Sequence, residues 1–144
     1  MTNYEIHNNI RTALLSREPY EVEKSLMPLY QLSEIGEFIN DLIELLNEGF
    51  HFKHEDIVRL FQEAKDPRTC QILKETTFKK FGYLNYDDSF GLARKCIWAL
   101  ADIGTSEAKN FLKEISETSN DIISKYATKR LENWDNELQR KGNS

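Results

Sequence analysis

The sequence predicts an all-α fold, a stack of about seven to eight helices in a single domain over residues 1–144. Apolar residues recur at helical spacing along most of the chain. Glycines, prolines and short polar caps punctuate those stripes where helices should start and stop. No stretch alternates apolar and polar residues as a half-buried strand would. At 144 residues, one core can bury about two-thirds of the surface that the unfolded chain exposes, so no staple is needed.

The first helix is expected from Tyr4 to Ser16, with Ile6, Ile10, Ala13 and Leu14 inward. Pro19 suits the first turn of the next, which places Val22, Leu26, Leu29 and Tyr30 at helical spacing. Pro28 removes a hydrogen bond and clashes with the preceding turn, so a kink or break is expected near Leu26–Met27. A third helix is expected from Glu34 to Asn47, capped by Ser33 and closed by Gly49, with Ile35, Phe38, Ile39, Leu42, Leu45 and Leu46 forming its apolar face. A fourth begins near His54 and carries Ile57, Val58, Leu60, Phe61 and Ala64 inward. Asp66-Pro67 starts a fifth that runs toward Phe81. Gly82 to Ser89 is the one long non-helical passage.

The stretch from Asp88 to Asn120 organises the remainder as two helices around a tight turn. Leu92, Cys96, Leu100 and Ile103 line one face of the first, and Gly104 stops it by entering the left-handed conformation without a Cβ penalty. Thr105 caps the second, which buries Ala108, Phe111, Leu112 and Ile115. The last helix is expected from Asp121 to about Arg140, with Ile123, Ala127, Leu131, Trp134 and Leu138 inward and a frayed end over 140–144.

The segment ALADIGTSEAKNFLKEI, through Ala99, Leu100, Ile103, Gly104, Ala108 and Leu112, resembles the HEAT-like repeat, especially the short variety also found in bilin lyases. A weaker copy lies 39 residues upstream, where Leu73-Lys74-Glu75 aligns with Leu112-Lys113-Glu114 and Asp66-Pro67 with Thr105-Ser106. The resemblance implies an α-α superhelix in which residues 1–53 form N-terminal helices and 54–140 the repeats. It implies little about chemistry, because such repeats are scaffolds for many functions.

The net charge of −5 is uneven. Residues 1–65 hold 12 carboxylates against 6 lysines and arginines, and residues 66–144 hold 12 against 13. Acidity in the first half argues against nucleic-acid binding by broad phosphate contact. Cys70 and Cys96 fall on apolar helix sides and read as buried thiols of a reducing compartment. With neither a leader pattern nor a membrane-length apolar stretch, the chain is expected to be cytoplasmic, with no membrane partner.

Little in the sequence suggests a reaction. His51-x-x-His54 beside Glu55 and Asp56 lacks the HExxH spacing and straddles a loop and a helix start, so no metal is expected. Asp87 and Asp88 could supply a general acid, but Asp88 is also a natural cap for the following helix. Phosphate loops, nucleophile elbows and CxxC pairs are absent from the sequence, and neither cofactor nor enzymatic activity is expected.

The sharper feature is the outer flank of the third helix. Glu34, Glu37, Asp41, Glu44 and Glu48 would fall within an arc of about 80° with no lysine or arginine interleaved. Like charges so spaced repel, so the ridge reads either as a solvated face or as a docking surface for a basic partner. The docking reading requires that the chain's own bases leave these carboxylates unneutralised. Tyr83 and Tyr86, beside Asp87 and Asp88, could anchor such a contact, unless they tuck under neighbouring helices. Trp98, opposite the Cys96/Leu100 stripe, is either packed against the next repeat or an exposed anchor.

In size, single repeat array and acidic surface, the chain also resembles bacterial immunity proteins that neutralise the toxins of contact-dependent growth inhibition. That resemblance implies a one-to-one monomeric inhibitor covering the basic cleft of a toxin domain, which could be a nuclease. The rivals are a general adaptor or scaffold and, by analogy with HEAT-like bilin lyases and DNA-alkylation-repeat glycosylases, an enzyme. The glycosylase reading needs a basic groove, for which Lys74, Lys79, Lys80, Arg94, Lys95, Lys109 and Lys113 are the candidates.

Overall fold

Helical periodicity becomes burial in the computed structural model, which describes residues 1–142. The fold is all-α, with nine α-helices and no strand among the described residues. In order they are α1 (Asn3–Ser16), α2 (Pro19–Leu26), α3 (Ile39–Asn47), α4 (His54–Ala64), α5 (Cys70–Thr77), α6 (Gly91–Ile103), α7 (Ser106–Ser116), α8 (Asp121–Glu132) and α9 (Trp134–Gly142). Helices α1, α3, α5 and α7 are successive neighbours in one layer, and α4, α6 and α8 in the other. Hairpins α1–α2, α5–α6 and α7–α8 join neighbours in sequence.

One continuous core runs between the layers, from Ile6 and Ile10 through Phe38, Leu42, Phe61 and Leu73 to Leu100, Leu112 and Ile123. Both cysteines are buried in it and unpaired. Burial pushes the Cys96 thiol up to about 12, which keeps it protonated and unreactive. Asp66 caps a 3-10 turn by accepting from the Arg68 amide at 2.9 Å, Thr105 caps α7 by accepting from Ala108 at 3.1 Å, and Leu73 and Leu112 are both fully buried.

Several helix limits differ from expectation, each for a local reason. The proline break falls where expected: α2 ends at Leu26, and Met27–Gln31 continues as a 3-10 turn around Pro28. That tighter winding rotates Tyr30 outward, leaving it half exposed although helical spacing placed it inside. The third helix is shorter than expected. Gly36–Phe38 is a 3-10 turn, α3 begins at Ile39, and Glu48 is an extended C-cap. Ile35 and Phe38 are nevertheless buried, so the apolar pattern was right and the continuous helix wrong.

Helix α5 stops at Thr77, whose hydroxyl bonds back to the Leu73 carbonyl, and Phe81 leaves to stack on His54 at 3.7 Å. The last helix divides at Asn133, whose amide side chain bonds the Lys129 carbonyl at 2.8 Å. Buried Trp134 and the Arg130–Glu137 pair at 2.6 Å then hold α9 against α8. Leu138, expected inside, remains 43% exposed. The frayed end expected from 140 is helical through Gly142, and residues 143–144 lie outside the described residues.

Gly104 closes α6 at φ +73°, and a Cβ built there would lie 3.2 Å from the Leu138 side chain of α9. Gly104→Ala therefore combines left-handed strain with a tight contact. It should lower unfolding free energy by about 1–2 kcal/mol, read as a lower urea midpoint with an unchanged slope. Both thiols should resist a thiol reagent in the native state and react once the chain is unfolded; prompt native labelling would contradict their burial.

Candidate functional site

The expected ridge is built differently from a free docking face. Glu34 precedes the helical turns, while Glu37, Asp41, Glu44 and Glu48 turn toward α1 and meet its polar stripe. Asn3 donates to Glu37 at 2.8 Å, and His7 bridges Asp41 at 2.7 Å and Glu37 at 3.2 Å. Arg11 reaches Glu44 at 2.7 Å and Asp41 at 3.6 Å, and Arg17 reaches Glu48 at 3.2 Å. Residue numbers rise together on both sides, so α1 and α3 run parallel. The missing cations were on another helix, at steps of four in Asn3, His7 and Arg11. Two guanidiniums and His7 thus engage four of the five ridge carboxylates within the molecule, while Glu37 and Glu44 stay half exposed. Glu34 alone of the five makes no ion pair among the described residues.

The aromatic candidates separate. Tyr83 is half buried, donates its hydroxyl to His54 Nδ1 at 2.8 Å, and accepts from the His54 amide at 3.3 Å. It is a strut, and burial pushes its phenol up to about 12. Tyr86 is 81% exposed and stays available. Asp87, not Asp88, caps α6, accepting from the Gly91 amide at 2.9 Å and from the Ser89 amide and hydroxyl. Asp88 is exposed. Trp98 is packed, with the Arg130 guanidinium 3.7 Å over its ring.

His51 and His54 form a structural node. Both are fully buried and stack at 4.1 Å, while Phe81 covers His54. His51 Nε2 donates to the Leu45 carbonyl at 2.7 Å and Nδ1 accepts from the Lys53 amide. His54 Nε2 donates to the Glu48 carbonyl at 2.7 Å while Nδ1 accepts from Tyr83. Each ring has one donor and one acceptor in use, which fixes a neutral tautomer. Burial lowers both histidines, His54 to about 4.

The candidate basic residues do not converge. Lys74 pairs with Glu114 in the α5/α7 layer, Lys95 pairs with Glu55 in the α4/α6 layer, Lys79 donates to Asn47, and Lys109 sits over Trp134.

A different acidic face emerges once the α1–α3 pairs are set aside. Around α2, the turn at Pro28 and α4, Glu23, Glu34, Asp56 and Glu63 stand with Lys53 and Arg59. Lys53 lies 3.7 Å from Glu23 and 3.8 Å from Asp56, too long for a close pair. Tyr20, Met27 and Tyr30 are exposed there by 65%, 60% and 50%. The Tyr30 phenol rises to about 12, first through burial and then through the nearby Asp56 and Glu23 carboxylates. The sequence signal was available: Tyr20 and Met27 stand seven residues apart beside a helix-breaking proline. No family model, curated protein or solved structure matches the chain.

The histidines give opposite pH responses. Lowered folded values for His51 and His54 mean that the unfolded chain takes up protons first. Stability should fall as pH drops from about 6.5 toward 4. His7 is raised, chiefly by its Asp41 hydrogen bond, so its contribution is complete below about 6.5 and fades as pH climbs through the raised value. Urea midpoints across this range should show His54→Phe flattening the acid limb, at a cost of about 1–3 kcal/mol at neutral pH for the unpaired Glu48 carbonyl and Tyr83 hydroxyl. His7→Gln should flatten only the other limb.

Proposed function

We propose that the chain acts by binding a basic protein, as a stoichiometric inhibitor in the manner of the immunity proteins that cover a toxin's active cleft. The observation that carries this reading is the acidic, tyrosine-bearing face along α2, the turn at Pro28 and α4. Within it Glu23, Asp56 and Glu63 have only long pairs to Lys53 and Arg59, at 3.5 to 3.8 Å, and Glu34 has none among the described residues. Self-repulsion on such a surface is unfavourable for the isolated chain and is relieved when a cationic surface approaches. Exposed Tyr20, Met27 and Tyr30 supply the large, low-entropy contact area that anchors interfaces.

A helical array with short connections suits this role, since its partner-facing residues sit on rigid elements. Binding alone then suffices: covering a basic cleft excludes substrate without any reaction by the inhibitor. The HEAT-like resemblance belongs with this reading, because stacked helical hairpins commonly present an extended surface to another protein. We place the protein in the cytoplasm, where a self-protecting inhibitor would meet its target.

Identification of the co-purifying protein from native cells, followed by stopped-flow association with it, tests the proposal. The partner should be basic, and the on-rate should fall steeply with salt. Glu23→Gln, Asp56→Asn and Glu63→Gln together should slow association about tenfold. Glu37→Gln, Asp41→Asn and Glu44→Gln together should mainly lower the unfolding midpoint. A partner without a basic surface, or an on-rate indifferent to salt, would reject the reading.

A further inference from the structure

Within the acidic face, the turn at Pro28 leaves a furrow against α4. One chamber of about 320 Å³ is lined by Leu29, Leu32, Ile35 and Leu60, with Glu34 and Glu63 among its polar residues. A second, of about 350 Å³, is lined by Tyr30, Lys53, Asp56, Arg59, Leu60 and Glu63. Leu60 and Glu63 line both chambers, so the two lie side by side in one cleft. We infer that this cleft is the part of the face that receives an arginine-bearing segment of the basic partner, with an arginine seated in the first chamber beside Glu34 and Glu63.

The inference rests on the proposed basic partner and follows from the cleft's mixed chemistry. Its floor is aliphatic, which suits the methylene stem of a long side chain. Its walls hold carboxylates that the chain leaves underused. Glu34 makes no ion pair among the described residues, and Glu63 has only the exposed Arg59 at 3.5 Å, four residues away on the same helix. Asp66, at the end of the first chamber, is already held by Arg68 at 2.7 Å and adds little. A guanidinium lying on Leu60 can fork to Glu34 and Glu63, a geometry that an ammonium cannot reproduce. The second chamber is charge-balanced, with Lys53 and Arg59 beside Asp56 and Glu63, and there the half-exposed Tyr30 keeps its phenol protonated as a donor to the continuing segment. A purely apolar occupant would strand Glu34 and Glu63, and an acidic one would be repelled.

Fluorescence anisotropy with a labelled peptide carrying two Arg-Leu pairs separated by glycine tests the inference in low-salt buffer. Glu34→Gln with Glu63→Gln should weaken binding about tenfold, and Leu32→Ser should weaken it a few-fold. The charge-matched control Glu117→Gln with Glu132→Gln, at exposed positions outside the cleft, should change it less than about twofold. Replacing both arginines by citrulline should abolish binding, and replacing them by lysine should weaken it. Equal losses in the two double variants would show general charge attraction and overturn the cleft while leaving the basic-partner reading intact. Undetectable peptide binding, or undiminished binding of the citrulline peptide, would overturn it too. If peptide binding maps to the cleft but the natural partner is not basic, the wider reading fails and the cleft survives.

Discussion

The polar contact between α1 and α3 is the constraint on which the surface of this protein depends. Its pairs are individually modest, because all are at least partly exposed and such ion pairs are worth about 0–1 kcal/mol each. Their joint effect is on register. Ile6, Ile10 and Ala13 alone could pack against α3 after a one-turn slide, since burial is non-directional. Sliding would bring His7 and Arg11 to the wrong carboxylates and leave one end of the ladder unmatched. A like-charged stripe that weakens α3 in isolation therefore specifies where α1 sits.

The second constraint lies at the C-terminal end of α3. His54 donates to the Glu48 carbonyl just past the helix, and His51 donates to the Leu45 carbonyl, which also accepts from the Glu48 amide at 3.1 Å. Tyr83 then ties the connection after α5 to the start of α4. One aromatic stack thus closes a helix terminus and fixes two loops. It requires neutral rings, which burial favours by lowering both histidines, while the α1–α3 ladder favours a protonated His7, whose value is raised, so in the folded state the two arrangements coexist between the lowered and the raised values.

Sequence legibility tracked the range of the interaction. The all-α class, the proline break, the glycine stop at Gly104, the cap at Thr105 and the buried thiols follow from local propensity and periodicity, and each is present. The ridge was misjudged because like charges on one helix say nothing about the helix packed beside it. The pairs join residues 30 to 34 positions apart, beyond the reach of any periodicity. The histidine node was equally hidden: His51 read as a loop residue and His54 as a helix start until Phe81 and Tyr83 came from 27 and 29 positions away to cover His54.

Pro28 links these observations to the candidate interface. Had the helix continued through it, Leu29 and Tyr30 would both have followed the buried stripe, and no furrow would separate this segment from α4. The 3-10 turn keeps Leu29 in the core and turns Tyr30 out, while the chain that follows carries Leu32 and Glu34 to the cleft rim. The ladder engages the other ridge carboxylates with α1, so Glu34 is the one ridge carboxylate left to the cleft. A residue that breaks one helix and a set of charges that docks another thus produce, together, an acidic concavity with an aliphatic floor.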